Sequence, residues 1–448
     1  MTDTLSDLAA RLLDSARAAG AESADALVTR GASVSIGLQA RKLEEVERSE
    51  SVDLGLRVLI GKRQACVSAS DTRPETFALM AERAVAMARE APEDPWIGLA
   101  DPSELARDWE KLELDLCDPA PEPDPAALEA AAREAEAVAL DTPGISQVES
   151  ASAGYSRRAL HLAATNGLSA GYARTDHGLY CIAITGTGTG MERDYYGSQR
   201  THGSDLESAA EIGRLAAERT LARAGARRPP SGTFPVLYDE RVAGSLIAHL
   251  LGAVNGSAIA RGASWARDLL EKPVLPAGIT LTETPHRPRI IGSRPFDGEG
   301  LPTRDRDIVR DGVLTGWTLD LATARKLGMA STASAVRGTS APPAPANGNM
   351  AMTQGPASKE ELMAQMGTGL LVTSMIGATI NPTTGDYSRG AAGLWIENGQ
   401  PVYAVNECTI AGNLKDMLLR IIPANDARPH LSRVIPSLLI EGMSIAGQ

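Results

Sequence analysis

The sequence has few aromatic residues, which make up 4% of its 448 positions, and it has four cysteines. With so few aromatic side chains, the core must be filled mainly by Val, Leu, Ile and Ala. The cysteines form no CxxC pair and lack the spacing of a disulfide framework, so we expect free, buried thiols. They are Cys66, Cys117, Cys181 and Cys408.

Long apolar runs and an excess of positive charge are also missing. No stretch reaches about eighteen uninterrupted apolar residues, and residues 1–20 lack the basic start and apolar run of an export signal. The formal net charge of -12 argues against unspecific binding to nucleic acid or anionic lipid. We therefore expect a cytoplasmic protein with no membrane and no direct nucleic-acid partner.

Length and pattern predict several domains of the α+β class. The chain of 448 residues exceeds what one core normally supports. The order helix, strands, helix occurs twice before a basic joint at residues 222–233, either as an internal duplication or as one continued domain. We predict an N-terminal region of antiparallel strands with flanking helices, followed by a β-rich C-terminal domain. The predicted regions are residues 1–118, 119–228 and 229–448.

Two local predictions concern the N-terminal region. Residues 24–70 alternate with a period of two, which predicts consecutive antiparallel strands with turns at Gly31 and at Gly61 and Lys62. A helix is predicted at about residues 72–91. Its inward face is expected to carry Leu79, Met80, Ala84, Met87 and Ala88.

The most regular stretch of the C-terminal half is residues 233–256. It predicts a short strand, a helix N-cap at Asp239 and an amphipathic helix that ends near Asn255. One face of this helix is apolar, and the opposite face is small, with Gly244, Ser245, Ala248 and Gly252. A small face usually has a chain segment or a ligand packed close against it. His249 lies at the edge of the apolar face, where a lone histidine is typical of a packed core residue.

Several other features are ambiguous. The Gly-rich residues 186–194 lack GK[ST] and favour a hairpin tip over a phosphate loop. Asp297 and Glu299, in a Gly-rich turn, are either an acid-base pair or solvated, loop-closing groups. Residues 329–358 form either a mobile lid or an extended arm. Three histidines lack metal-ligand spacing to each other or to a cysteine, namely His161, His177 and His202.

The final informative stretch, residues 367–421, supplies the candidate site. A buried strand leads into a loop at residues 381–389 that is dense in turn formers, and a hairpin follows. We place a candidate substrate-binding site in this loop, beside the helix that carries His249. Its residues are Asn381, Thr383, Asp386, Ser388 and Arg389. In the alternative interpretation, Asp386 and Arg389 hold a tight loop.

Long motifs in this half resemble the TldD/PmbA family, and specifically its PmbA branch, also called TldE. They are FPVLYDERVAGSLIAHLLGAVNGSAIARGASW, SRPFDGEGLPTR and TINPTTGDYSRGAAGLWIENGQPVYAVNECTIAGNLKDM, and the ending PSLLIEGMSIAG also matches. The resemblance covers nearly the whole chain. It implies a cytoplasmic metalloprotease that degrades or trims unfolded peptides, with an α+β N-terminal region and a β-rich C-terminal domain.

The resemblance also implies where a zinc site would lie. The TldD branch carries HExxxH on the helix after the first C-terminal strand, and a later cysteine completes the site. Two imidazoles and a thiolate leave one zinc position open for water, with the Glu as its base. In this sequence the histidine positions fall on Ile247 and Gly252, and the Glu position falls on Ala248. The third-ligand region, residues 427–439, contains no cysteine.

The resemblance and the missing motif together favour a non-catalytic PmbA/TldE-type subunit of a TldD-TldE zinc metalloprotease. We expect no cofactor on this chain, zinc on the TldD-type partner, and peptide bound by strand addition. One alternative is a homodimeric peptide-binding or regulatory module of the gyrase-modulator type. Another is an independent hydrolase that uses Cys408 with Glu407, or Asp386 with Ser388 and Arg389.

Overall fold

One antiparallel sheet forms the centre of the N-terminal half. The computed structural model describes residues 4–447, without the side chains of residues 378 and 379. The strands of this sheet are β1 (Ser23–Gln39), β2 (Lys42–Ile60), β3 (Arg63–Ala69), β4 (Ile145–Ala164), β5 (Ser169–Thr185) and β6 (Glu192–Arg200). They follow the order β3-β2-β1-β4-β5-β6, so the two helix-strands-helix repeats meet where β1 pairs with β4.

Four helices cover one face of this sheet. They are α1 (Leu5–Ala18), α2 (Pro74–Glu90), α3 (Pro125–Leu140) and α4 (Ala209–Leu221). The helix α1 begins at a capping box of Thr4 and Asp7, and Asp124 caps α3. The even-numbered residues of β1 face all four helices, because Val28 packs with α1 and α2 while Val34 packs with α3 and α4.

Two local predictions for this region are wrong. The backbone of β1 runs straight through Gly31, which pairs with Ser51 on one side and Arg158 on the other. A glycine in a fully paired central strand does not make a turn, so two predicted strands are one. The helix α2 is present as predicted and buries Met80, Ala84 and Ala88, but its predicted inward face is wrong at Leu79 and Met87, which are exposed. Its buried face consists of Phe77, Met80, Ala81, Ala84, Val85 and Ala88.

The C-terminal half contains a closed barrel. Its strands are β7 (Gly232–Tyr238), β14 (Gly369–Ile380), β15 (Asp386–Glu397), β16 (Gln400–Asn413) and β19 (Leu438–Ala446). The order β16-β15-β14-β7-β19 closes because β16 also pairs with β19, and β17 (Ile421–Pro423) extends the sheet beside β19. A helix, α5 (Glu240–Ala253), follows β7 and packs its apolar face into the largest core cluster of this half.

The remaining elements surround the barrel. A second sheet has the order β10-β9-β8-β13-β18, with β8 (Leu281–Glu283), β9 (Arg306–Arg310), β10 (Val313–Leu314), β13 (Met350–Met352) and β18 (Arg433–Val434). A small pair joins β11 (Ala335–Val336) and β12 (Ala344–Pro345). The other helices are α6 (Gly256–Ala260), α7 (Leu321–Leu327), α8 (Lys359–Met366) and α9 (Leu414–Leu418). Within residues 329–358 the chain is thus an extended arm with three short strands.

The architecture confirms the predicted fold class, an α+β N-terminal region of antiparallel strands with flanking helices and a β-rich C-terminal domain. The Pro-rich segment between α2 and α3 contacts both halves of the protein. The Ala106 N–H donates to the Gly300 carbonyl in the C-terminal half, and the Leu116 carbonyl accepts from the Thr175 N–H in the N-terminal sheet. None of the helices in residues 4–447 is long and apolar enough to cross a membrane.

Candidate functional site

The helix α5 starts at the mouth of the barrel, directly after β7. The side chain of Asp239 caps it by accepting a hydrogen bond from the Arg241 backbone N–H at 3.1 Å. The same carboxylate also accepts from the Nζ of Lys359 at 3.0 Å. Burial alone would raise the pKa of Asp239, but Arg241 and Lys359 hold it below its ordinary value. The predicted strand, cap and helix are therefore all present.

The two faces of α5 have different surroundings. The apolar face is buried and consists of Ala243, Leu246, Ile247, Leu250, Leu251 and Ala253. On the opposite face, a methyl group added at Gly244 or Gly252 would meet no atom of the described chain within 4 Å. No chain segment in residues 4–447 therefore packs closely against either glycine. The small face is therefore open at these two glycines, while Ser245 lies near Arg389.

His249 lies between these two faces and is neutral at physiological pH. Its ring packs edge-on against Tyr387, with the ring centroids 5.8 Å apart. Its Nε2 is buried and meets no hydrogen-bond partner among the described residues. Burial lowers the pKa of His249 to about 4, and the charge of Arg389 contributes to the same effect.

The strand β15 brings Arg389 to the same place. Its Nε donates to the Gly377 carbonyl at 2.7 Å, and its Nη1 lies 3.5 Å from the hydroxyl of Ser245 on α5. Tyr387 lies two residues earlier on the same face of β15, whereas Ser388 alternates to the other face. Of the predicted site residues, Arg389 and His249 are therefore brought together, and Ser388 is separated from them.

The other predicted residues hold the loop between β14 and β15. The Oδ1 of Asn381 accepts from the backbone N–H groups of Thr383 at 2.9 Å and Thr384 at 3.2 Å. Asp386 accepts from the Thr384 hydroxyl at 2.6 Å and from Asn413 at 3.0 Å. These bonds lower the pKa of Asp386. The contacts of Asp386 agree with the alternative in which Asp386 and Arg389 hold a tight loop. Asn381, which was not part of that alternative, also holds the loop, and Thr383 contributes its backbone N–H.

Three profiles of one family match the chain. They are described as PmbA/TldA metallopeptidase domain 1 at residues 24–88, the central domain at residues 118–224 and the C-terminal domain at residues 231–447. Metalloprotease PmbA of Escherichia coli O157:H7 is 36% identical over 430 residues, which cover 95% of this chain and 93% of that protein. This chain belongs to the PmbA/TldD family.

Further comparisons agree with this membership. The Metalloprotease PmbA homolog of Haemophilus influenzae is 33% identical over 95% of this PmbA/TldD protein and 92% of its own length. A solved structure from Bacteroides thetaiotaomicron, named as a proposed modulator of DNA gyrase, superimposes with a TM-score of 0.90 at 27% identity. It covers 98% of each chain. TldE from Thermococcus kodakarensis shares the fold, with a TM-score of 0.85 at 19% identity over 98% of this chain and 99% of that one.

A metal ion, which the word metallopeptidase implies, does not fit the side chains of α5 in this family member. Ile247 is 1% exposed and packs in the core, and neither Ala248 nor Gly252 carries a ligand atom. Within residues 4–447, no three His, Cys, Asp or Glu side chains are arranged to hold a metal ion.

The region of the third ligand, residues 427–439, and the nearby Cys408 do not complete a metal site either. Residues 427–439 contain no cysteine, and they contact α5 through a salt bridge from Arg428 to Glu240 at 2.7 Å. Burial raises the pKa of Cys408 to about 11, and its Sγ contacts the Ala391 carbonyl at 3.2 Å. Glu407 pairs with Arg228 at 2.8 Å. This geometry does not activate Cys408 as a nucleophile.

The acidic pair in the Gly-rich turn is buried and closes the loop. Asp297 accepts from the backbone N–H groups of Glu299, Leu301 and Ala335 at 2.9 to 3.0 Å. Burial and the neighbouring Asp297 raise the pKa of Glu299 to about 8. Glu299 accepts from the Leu321 N–H at 2.8 Å. Of the two interpretations of this pair, loop closure accounts for these bonds.

Sequence reasoning missed a buried cluster at the contact between the two halves. Asp25 in β1 binds both Arg57 in β2 and Arg337, which follows β11. The signal was present, because Asp25 and Arg57 each interrupt an apolar strand pattern, and a charge at a buried position requires a partner. The identity of the distant partner, Arg337, was not available from the local pattern.

Proposed function

We propose that this chain is a non-catalytic subunit of the PmbA/TldE type. It works in the cytoplasm with a TldD-type subunit that carries zinc, and together they cleave unfolded or short peptides. The observation that carries this proposal is the chemistry of α5, where Ile247, Ala248 and Gly252 occupy the positions of two metal ligands and a base. The names of the relatives support a peptidase-related role.

A zinc peptidase needs two or three ligands, an open position for water and a base. His249 supplies one nitrogen, and its ring is held against Tyr387 rather than near a second ligand. The pKa of about 4 keeps this imidazole neutral, so it does not transfer protons efficiently near pH 7. Chemistry supplied by a second chain accounts for the peptidase role of the family.

The open side of α5 supports a role in holding peptide. β14 pairs with β7 at residues 370–372, and beyond this point no other described strand pairs with that edge of β14. An unpaired strand edge offers N–H and C=O groups to an extended peptide without selecting its sequence. The edge starts near Ser245 and Arg389, beside the small face of α5. Both features would form part of the wall of a chamber that the partner closes.

The first test measures zinc content and peptide cleavage for this chain alone, for a TldD-type chain from the same genome, and for their mixture. We expect no zinc and no cleavage for this chain alone. For the mixture, we expect a stable complex of the two chains that contains zinc and cleaves peptide, and we expect a chelator to abolish the cleavage. Stoichiometric zinc with chelator-sensitive cleavage by this chain alone would refute the proposal. A stable homodimer that does not bind the TldD-type chain would favour the homodimeric regulatory module.

A pair of variants tests the open face of α5 in the same mixture. Gly252→Glu puts a charge on that face at a position where an added Cβ meets open space. Leu79→Glu is its control on α2, where the side chain is 66% exposed. We expect Gly252→Glu to reduce cleavage at least about fivefold, which corresponds to roughly 1 kcal/mol. We expect Leu79→Glu to have no effect, and equal activity of the two variants would show that this face does not contact peptide or partner.

A further inference from the structure

The buried cluster at Asp25 holds more positive than negative charge. The Oδ2 of Asp25 accepts from the Nε of Arg57 at 2.7 Å, and its Oδ1 accepts from Arg337. The side chains of Asp25, Arg57 and Arg337 are 5%, 5% and 2% exposed. One carboxylate therefore serves two guanidinium groups in a site that water hardly reaches. Such a site favours the arrival of another anion.

Arg337 is the group that lacks an acceptor. Its Nε and Nη2 are buried and find no partner among the described residues, whereas Arg57 also reaches the side chain of Gln64 at 3.4 Å. Glu299 interacts with Arg57, but its raised pKa of about 8 leaves it mostly neutral at pH 7. A buried guanidinium with two free N–H groups costs free energy until an acceptor binds them.

A cavity of about 140 Å³ lies beside this guanidinium, between the N-terminal sheet and the C-terminal domain. Arg337 and Arg294 line it, and the Nε of Arg294 also lacks an acceptor among residues 4–447. Asp297 also lines the cavity, with its carboxylate oxygens accepting from three backbone N–H groups. The rest of the wall is mainly apolar and includes Leu27, Leu160, Leu162, Tyr172 and Phe296. The volume is well below the roughly 300 to 1,000 Å³ of pockets for drug-sized ligands, so the ligand must be small.

We propose that this cavity binds a small carboxylate that carries a short apolar group. The two carboxylate oxygens accept from the free N–H groups of Arg337, in the fork geometry that a guanidinium presents. The apolar group packs against Leu160 and Phe296. Two sources share this chemistry, the C-terminal carboxylate of a peptide and a free organic acid or acylated amino acid. The site lies within this chain and needs neither a partner nor zinc.

Calorimetric titration of the purified full-length chain tests the proposal. N-acetyl-leucine supplies the carboxylate and an isobutyl group, and N-acetyl-leucinamide is its neutral counterpart. We expect saturable binding of the acid at one site and binding of the amide at least about tenfold weaker, because the amide cannot replace a charged acceptor. Absence of saturable binding, or equal binding of acid and amide, would overturn the proposal.

Two variants locate the binding. Arg337→Met removes the guanidinium, and Leu160→Phe places a larger ring in the cavity while leaving the pairs of Asp25 intact. We expect each variant to lose binding, and Leu79→Phe on the exposed face of α2 to retain it. Arg337→Met also removes a partner of Asp25 and can therefore prevent folding. In that case, Leu160→Phe alone decides whether the ligand binds in this cavity. Unchanged binding in Leu160→Phe would place the ligand elsewhere and refute the assignment.

A second pair of ligands distinguishes the two sources. The peptide Ala-Ala-Leu has a free C-terminal carboxylate, and its C-terminal amide does not. If the peptide binds at least about tenfold more tightly than N-acetyl-leucine, the backbone upstream of the terminus is also held and the site receives peptide ends. If N-acetyl-leucine binds as tightly or more tightly, the site receives free acids. Both outcomes support a carboxylate site.

Discussion

Replacing His249 by Phe tests whether the histidine of α5 is a neutral packing residue. Phe keeps the edge-on contact with the Tyr387 ring and removes the titrating group. In the native protein, burial and Arg389 lower the pKa of His249 from 6.5 to about 4. The folded protein therefore resists a proton that the unfolded chain accepts below about pH 6.5. Stability due to this residue is complete above pH 6.5 and falls as the pH decreases to about 4.

The size of the effect follows from the change in pKa. A fall from 6.5 to about 4 corresponds to about 3.4 kcal/mol at roughly 1.36 kcal/mol per pH unit. The imidazole is only partly buried, and screening by solvent reduces this value. We expect His249→Phe to gain about 1.5 to 2 kcal/mol over the native protein between pH 6.5 and pH 4. Above pH 6.5 the difference between the two proteins is expected to be constant.

Two measurements check this prediction. Carbon-13 labelling of the six histidines allows each imidazole to be titrated by NMR, and the signal missing in His249→Phe identifies His249. Urea unfolding of both proteins at several pH values gives the difference in free energy, and the other five histidines cancel in the comparison. A pKa of His249 at or above 6.5, or identical pH dependence of the two proteins, would refute the reasoning.

Three further predictions concern stability and reactivity. The folded protein keeps the buried carboxyl of Glu299 protonated, so the native protein is expected to lose stability as the pH rises from about 4.5 to about 8. Glu299→Gln is expected to remove this loss, and thermal unfolding at several pH values measures it. Gly393→Ala is expected to destabilise the barrel by about 2 kcal/mol or more, since the methyl group overlaps the Leu371 carbonyl oxygen, whereas Gly252→Ala is expected to stabilise α5 by about 0.5 to 1 kcal/mol. The thiol of Cys408, with its pKa of about 11, is expected to react with a disulfide reagent far more slowly than a free cysteine at pH 8, and a fast reaction would contradict its burial.

Local pattern was enough to predict most helices and the fold class. The N-cap of α5 was predicted at Asp239, because a capping side chain acts within one turn of its own helix. The prediction of a turn at Gly31 was wrong for a physical reason. Glycine permits a turn but does not require one, and here the pairing of β1 with β2 and β4 keeps the chain extended. Such pairing is formed by distant segments and leaves no local signal.

The candidate site was predictable in its residue types but less so in its geometry. Arg389 and His249 do meet, and the alternation along β15 explains why Ser388 does not join them. Asp386 faces the loop, where Thr384 and Asn413 use its oxygens. Tyr387 was not predicted as a neighbour of His249, although its spacing of two residues from Arg389 places both on one face of the strand. The angle between α5 and β15 depends on barrel closure, which the sequence pattern does not specify.

The small face of α5 has a cost in helix stability. The buried face already anchors the helix in the barrel, and nothing in the described chain requires glycine at 244 or 252, where a methyl group would meet open space. Each glycine costs the helix roughly 0.5 to 1 kcal/mol relative to alanine. Packing within the chain does not explain this cost. Under the proposed function, these glycines would allow a partner or a peptide backbone to approach α5 closely.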